Sequence, residues 1–521
     1  MPSLCQLTCA TCEERSRVLA RIASEALVGL ESYPVEVEAD VVAAAPAFTI
    51  VGLPDVAVQE SRERVRAAIL NSQFDFPSRR ITVNLAPADV RKAGPSFDLP
   101  IALAFLLATG QAQRHISDVA VIGELALDGS VRPVTGVLAL AESAHRRGLR
   151  RLLVPQANAR EAALVRDLEI IPATTLREAA RALESGNGHH QVSVSPSELL
   201  RTGVSATVDL ADVVGQEHAK RALEIAVAGA HNVLMVGPPG SGKTMLARRV
   251  PTLMPRLTID EAIEITRIYS VAGLLPHDSP LIVQRPFRAP HHTCSSVALV
   301  GGGPTPRPGE VSLAHLGVLF LDEFPEFRLS SLEALRQPLE DGEVTISRAL
   351  TSLTFPARLM LVAAMNPCPC GWRGDRERQC TCKVHRVEQY LARLSGPLLD
   401  RIDLRLEVPR LTPRERRSVS AGESSATVRE RVEGARERQL ARLSGAGIYA
   451  NAHMTTRHLK RLCRLSPDAI EQLDRAYDRL RLTARACDRV VKVAQTIADL
   501  EGAATITGAH VAESLSYRGT L

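Results

Sequence analysis

A chain of 521 residues, 45% hydrophobic and 23% charged, has enough apolar material for two or three domains with cores of their own. No apolar run reaches the roughly 18 residues of a membrane-spanning helix, and the N-terminal "MPSLCQLTCATCEERSR" lacks the basic start and apolar core of a secretion signal. A cytoplasmic protein with reduced thiols and no membrane partner is expected, and its net charge of only +5 is unevenly placed.

Residues 1–17 read as a loose extension, in which Cys9 and Cys12 form a CxxC without evident partner ligands. Over 18–184, "PVEVEADVV", "AFTIVGL", "RRITVNLAP" and "RRLLVP" predict strands, and "DLPIALAFLLATG" and "GVLALAESAHRRG" predict helices. That is an α/β domain of its own. Residues 185–208 have the polar, Gly/Ser-rich composition of a linker. A second α/β pattern runs over 209–409, and 410–521 is mostly helical, with amphipathic repeats in "SPDAIEQLDRAYDRL" and "ACDRVVKVAQTIADLEG".

Within 209–409, "NVLMVGPPGSGKTMLARRV" reads as a buried strand, a Gly-rich loop and a helix start. The loop Gly237, Pro238, Pro239, Gly240, Ser241, Gly242, Lys243, Thr244 fits GxxxxGK[ST] throughout, so its backbone N–H groups can turn inward and cradle phosphates at a helix N-terminus. Lys243 would neutralise the β/γ-phosphates of ATP, and the Thr244 hydroxyl would ligate Mg²⁺. In "GVLFLDEFPEF" a short apolar strand delivers Asp322, which can hold the magnesium through water, and Glu323, which can deprotonate the attacking water. The strand "ARLMLVAAMN" places Asn366 at its end, where a neutral amide can hydrogen-bond the lytic water or the γ-phosphate; the bland alternative is a cap on the turn before Pro367.

Directly after Asn366, Cys368, Cys370, Cys380 and Cys382 form CxC–x9–CxC. Structural zinc sites favour the wider CxxC. Yet four of the ten cysteines fall in a segment too polar to build an apolar core, and a Zn²⁺ staple would explain its order. A flexible reduced loop or an opportunistic disulfide is the alternative, and His385 is a spare ligand. Such a knuckle over 368–382 would bear Arg373, Arg376 and Arg378. It is expected to fold locally and leave nucleotide binding to the domain around it. Farther on, Arg410 to Arg464 holds thirteen Arg or Lys against five Glu and no Asp. Such a region can hold a phosphate backbone or can be a solvated helical surface, and charge alone does not decide.

The phosphate loop, "LFLDE" and the strand-end Asn resemble the AAA+ ATPases. More narrowly, "DVVGQEHAKRALEIAVAGAHNVLMVGPPGSGKT", "FRAPHHTCSSVALVGGG", "PRPGEVSLAHLGVLFLDEFPEF" and "SGPLLDRIDLRLEVP" resemble the ComM/YifB family of magnesium-chelatase-like ATPases, a likeness covering nearly everything from Val18 onward. The resemblance implies a multidomain α/β fold: a Lon-protease-like N-terminal domain, an AAA+ core with a helix-2 insert within 265–310, and a helical C-terminal lid. It also implies a homohexameric ring in which Arg401 of "LLDRIDL" reaches the neighbouring subunit's ATP, and a lid Arg that senses phosphate, Arg485 or in reserve Arg489. For function it implies a motor on single-stranded or branched DNA, a helicase of branch migration in integration of transforming DNA. The alternatives are a chelatase-like or chaperone-like ATPase that remodels a protein partner; the chelatase partner motif DxSxS is absent from the sequence.

"RKAGPSFDLPIALA" is similar to the Lon segment that carries the nucleophilic Ser, which would be Ser96 here. The Lon lysine position falls on Leu138, which cannot accept a proton, and Lys92 is the domain's one lysine. Ser96 is therefore expected to be structural or a helix cap, and peptidase activity is not expected.

Overall fold

In the computed structural model, the described residues are 19–89, 91–114, 118–184, 192–201, 208–276, 278–303, 306–347, 352–375, 377–412 and 422–518. The extension with Cys9 and Cys12, most of the 185–208 linker and Arg376 lie outside them. The described residues fall into two compact units, one within Met1–Ser195 with Pro276–Pro280, the other within Pro196–Leu275 and Leu281–Leu521.

The first unit is built on a mixed seven-stranded sheet: β1 (Ala20–Val28), β2 (Glu31–Val42), β3 (Ala47–Val51), β4 (Arg80–Ala86), β5 (Val119–Val121), β6 (Arg151–Pro155) and β7 (Glu169–Ala173), in the order β3-β4-β2-β1-β5-β6-β7. β1 and β2 pair as a hairpin with Val28 opposite Glu31, and Gly29 between them takes φ +66°, the turn conformation that matches strand twist. Alternation sets the buried face: Val35, Val37 and Ala39 on β2 and Ile81, Val83 and Leu85 on β4 are buried. Three helices used below are α1 (Val56–Asn71), α2 (Asp98–Ala108) and α3 (Val137–Arg146). α2 is apolar almost all round because it is buried from Asp98 to Leu106. The Asp98 carboxylate that opens it accepts from Arg64 Nε at 2.8 Å, from the Ser61 hydroxyl and from the Leu125 amide at 3.3 Å. Burial still raises its pKa above the usual carboxylate range.

The second unit holds an all-parallel five-stranded sheet of β8 (Val233–Val236), β9 (Phe287–Arg288), β10 (Val318–Leu321), β11 (Met360–Met365) and β12 (Leu404–Glu407), in the order β9-β10-β11-β8-β12. β10 and β11 are buried along their whole length, as their unbroken apolar sequences require of a sheet covered on both faces. β8 lies between β11 and β12, and the loops beyond the carboxyl ends of these strands are where open α/β sheets keep their ligand crevice. After β12 every described element is helical; those used below are α4 (Ser425–Leu443), α5 (Pro467–Leu480) and α6 (Ala484–Glu501). Val432 and Ala435 of α4 and Val493 and Ile497 of α6 share one apolar cluster with β8, β11 and β12, so helices and sheet are held by common packing.

A buried polar knot reinforces that joint. Asp403, just before β12, takes Arg489 of α6 at 3.1 Å and His231 Nδ1 at 3.3 Å. Burial alone would raise its pKa, but the His231 hydrogen bond and the charges of His231, Arg489 and Lys492 hold it far below the usual carboxylate range. A carboxylate depressed on folding contributes stability that is present above its unfolded value, about 4, and is lost as pH falls below that. Asp403→Asn should therefore cost on the order of 3 kcal/mol at neutral pH, because it strands buried cations. Urea unfolding should show the wild-type advantage shrinking toward acid pH.

Candidate nucleotide site

The strand β8 ends at Val236, and the chain turns through Gly237 to Gly242 into a helix that runs from Lys243 to Leu253. Gly237 is confined to a residue without Cβ by the Val408 carbonyl beside it, and Gly242 takes φ +96°, a backbone conformation that favours glycine. The Lys243 ammonium is buried and donates to the carbonyls of Gly237 at 2.6 Å and Pro238 at 3.0 Å, and to Asn366 Oδ1 at 3.3 Å. Burial lowers its pKa, with Asp322 opposing. The Thr244 hydroxyl donates to Asp322 Oδ2 at 2.8 Å. Glu323 follows in the left-handed region at φ +52°, which turns its side chain away from the strand direction; its carboxylate meets His292 Nδ1 at 3.0 Å.

These groups surround a cavity of about 690 Å³, large enough for a nucleotide, whose lining includes Gly240, Lys243, Thr244, Asp322, Glu323 and Asn366. Two features suit an anion. Among the described residues, the hydrogen-bond partners of Lys243 are all neutral, and the Ser241 hydroxyl is buried without one. Thr244 Oγ1 and Asp322 stand side by side as oxygen donors, the set a magnesium ion would take.

Three titratable residues of the cavity were not expected from the sequence: His291, His292 and Arg248. Arg248 lies four residues after Thr244 on the same helix, so helical periodicity alone puts the two on one face. The histidines stand in "FRAPHHT", after the edge strand β9, and no local pattern announces them.

Arg401 and Arg485 are not among the residues lining this cavity. Arg401 follows a short helix, Gly396–Leu399, and donates to the Pro397 carbonyl at 2.7 Å and to the Glu340 carboxylate. Arg485 is exposed on the first turn of α6, whereas Arg489, one turn on, is held by Asp403. The 265–310 segment contains β9, a short helix (Ser296–Val300) and a strand pair (Gly301–Gly302 with Arg307–Pro308). A second hairpin, Glu343–Ser347 with Ser352–Pro356, was not predicted.

The four cysteines converge. Cys368 Sγ lies 3.4 Å from Cys370 and 3.6 Å from Cys380, Cys370 and Cys380 are 3.6 Å apart, and all four sulfurs lie within 4.8 Å of one another. A tetrahedral Zn²⁺ with bonds of about 2.3 Å spaces its sulfurs about 3.8 Å apart. The donor set therefore fits zinc. Hydrogen bonding from the Trp372 amide, then from that of Thr381, lowers the Cys370 thiol to about 6, whereas the thiols of Cys380 and Cys382 beside it are raised. Arg378 and Arg410 lie over the Trp372 ring at 4.5 and 5.6 Å, so one arginine of the knuckle is engaged within it.

In the first unit Ser96 is half-buried in a short 3-10 turn, Pro95–Phe97. The expectation that it might cap a helix is corrected: the N-cap of α2 is Phe97, and no side chain caps that end. Leu138 is buried, and its amide donates at 2.9 Å to the buried carboxylate of Glu161. Lys92 is buried, and its ammonium donates to the Pro87 carbonyl.

Comparison with known proteins matches this arrangement to three family profiles. "Magnesium chelatase, subunit ChlI" covers residues 209–416, "Subunit ChlI of Mg-chelatase" covers 37–158, and "Magnesium chelatase, subunit ChlI C-terminal" covers 422–518. The chain is 46% identical over 509 residues to "Competence protein ComM" of Haemophilus influenzae, covering 96% of this chain and 97% of that protein. It is 43% identical over 504 residues to protein YifB of Escherichia coli, covering 96% and 97%. A shorter stretch of 152 residues is 31% identical to Lon protease 2 of Bacillus subtilis, 27% of either chain.

Proposed function

Since this chain belongs to the ComM/YifB family of magnesium-chelatase-like AAA+ proteins, we propose that it is an ATP-driven ring motor that works on DNA. One observation carries the ATPase reading: Lys243, the Thr244–Asp322 pair, Glu323 and Asn366 surround a single cavity at the carboxyl ends of adjacent parallel strands. In this reading the phosphates of ATP lie on the loop amides at the helix N-terminus, and Lys243 exchanges its carbonyl partners for phosphate oxygens. Thr244 and Asp322 would hold Mg²⁺, which would supply positive charge to offset that of the phosphates. Glu323 takes the proton of the attacking water, Asn366 orients that water or the γ-phosphate, and Arg401 reaches in from the next subunit of a homohexamer. Arg485 is the lid residue assigned to phosphate sensing.

The assigned domains are a Lon-like 18–184, a linker at 185–208, an AAA+ core at 209–409 with its helix-2 insert in 265–310, and a helical lid at 410–521. A Zn²⁺ ion at Cys368, Cys370, Cys380 and Cys382 would order the knuckle, and the protein would work in the cytoplasm. With Leu138 at the position of the Lon lysine, the first domain lacks the Lon base for Ser96 and acts as a scaffold.

DNA as substrate is supported by similarity to a protein named for competence and by the basic 410–464 segment. Purified protein should hydrolyse ATP several-fold faster with single-stranded or branched DNA. Its DNA affinity should fall steeply with salt, with a log–log slope of about −0.7 per phosphate contacted on single strands. Hydrolysis indifferent to DNA but raised by a protein partner would favour the remodelling alternative.

A further inference from the structure

The cysteine cluster does not hang free of the ATP site: the chain leaves Asn366 into it and returns from it to Asn366. Cys368 is buried two residues after Asn366, whose side-chain oxygen is 3.3 Å from Lys243 Nζ. On the far side, Cys382 leads into the helix Val384–Ala392, whose buried Tyr390 sets its hydroxyl beside the Asn366 backbone. The four sulfurs thus tie together a stretch of chain that begins at Asn366 and comes back beside it.

The cluster also touches the phosphate loop. Gly371, at φ +84°, lies so close to Pro239 that an added Cβ would come within 2.6 Å of its ring. Behind the loop a cavity of about 200 Å³ separates Gly237 and Pro238 from Arg373, Asp375 and Glu377. On that side the loop rests on a point of contact rather than on a packed core. The segment that supplies the contact is polar and has little apolar packing with which to hold its own shape.

We propose that the metal at Cys368, Cys370, Cys380 and Cys382 is a pin for the nucleotide site: its occupancy sets the positions of Asn366 and of the phosphate loop, and so governs ATP binding and hydrolysis. This rests on the zinc reading above and replaces the expectation that nucleotide binding survives loss of the metal. Releasing the sulfurs slackens both ends of that stretch at once, so Asn366 loses its register against Lys243, and Gly371 no longer bears on Pro239. A displacement of about 1 Å at a reacting group can cost about a hundredfold in rate.

The test uses the full chain purified without chelator. Metal analysis should find about one zinc per chain beyond any bound elsewhere. Cys380→Ser with Cys382→Ser should remove that zinc, weaken binding of a fluorescent ADP about tenfold, and lower hydrolysis further. Re-adding Zn²⁺ to chelator-stripped wild type should restore both, and re-adding it to the double variant should not. Gly371→Ala serves where the double variant fails to fold: it should keep its zinc yet bind nucleotide more weakly. Wild type without zinc would overturn the zinc reading itself. A zinc-free, folded double variant that binds and hydrolyses like wild type would overturn the coupling and leave the metal as a local staple. So would a zinc-loaded Gly371→Ala protein with normal nucleotide binding.

Discussion

Glu323→Gln should bind ATP as tightly as the wild type and hydrolyse it 10²- to 10⁴-fold more slowly, the range spanned by loss of a positioned general base. The substitution keeps the side chain's size and hydrogen bonding and removes only its ability to take a proton. Glu323 sits in the left-handed region beyond β10, and His292 holds its carboxylate at 3.0 Å, so the amide variant has a ready partner and no reason to unfold the turn. Lys243→Ala should behave oppositely and lose nucleotide binding outright, because it removes the buried cation that faces the loop carbonyls. Equilibrium binding and steady-state turnover on the two variants separate these effects. Native turnover in Glu323→Gln would mean that the base lies elsewhere.

The contrast between Glu323 and His292 shows how far local pattern reaches. The phosphate loop and the acidic pair could be read because each motif carries its own strand and turn within a dozen residues. His292 could not. It meets Glu323 only because β9 pairs in parallel with β10, Phe287 opposite Val318, and that register belongs to the folded sheet. The contact between Gly371 and Pro239 is hidden for the same reason: the two residues are adjacent only through β8 and β11. In the first unit β1 went unpredicted because Ser24 and Glu25 interrupt its apolar alternation. Both are buried, and Glu25 is satisfied by Arg147 at 2.6 Å and Ser143 at 2.9 Å. Alternation marks a strand only where burial means apolar, and a paired buried carboxylate breaks that rule. The Glu343–Pro356 hairpin was missed although its alternation is plain, with Thr345, Ser347, Ser352 and Thr354 exposed and Val344 and Phe355 buried; its strands are only five residues each.

The remaining prediction concerns Arg401, and it follows from where that side chain does not go. Within one chain Arg401 is held by Glu340 and the Pro397 carbonyl and is absent from the cavity lining. A guanidinium that completes a neighbour's site leaves its own chain's pocket in this way, and such an arginine is worth about 10³–10⁵ in turnover. Arg401→Ala protein alone should therefore bind ATP and fail to hydrolyse it, and Lys243→Ala protein alone should fail to bind. Mixed in equal amounts, they should regain activity. Wherever an intact Arg401→Ala nucleotide site faces the arginine of a Lys243→Ala subunit, both halves are present, which is about a quarter of the interfaces in a randomly mixed head-to-tail ring. Hydrolysis should accordingly rise on mixing, depend on total protein concentration, and vanish on dilution below the assembly threshold. If the two variants demonstrably share rings and hydrolysis stays at the level of either alone, Arg401 acts within its own chain.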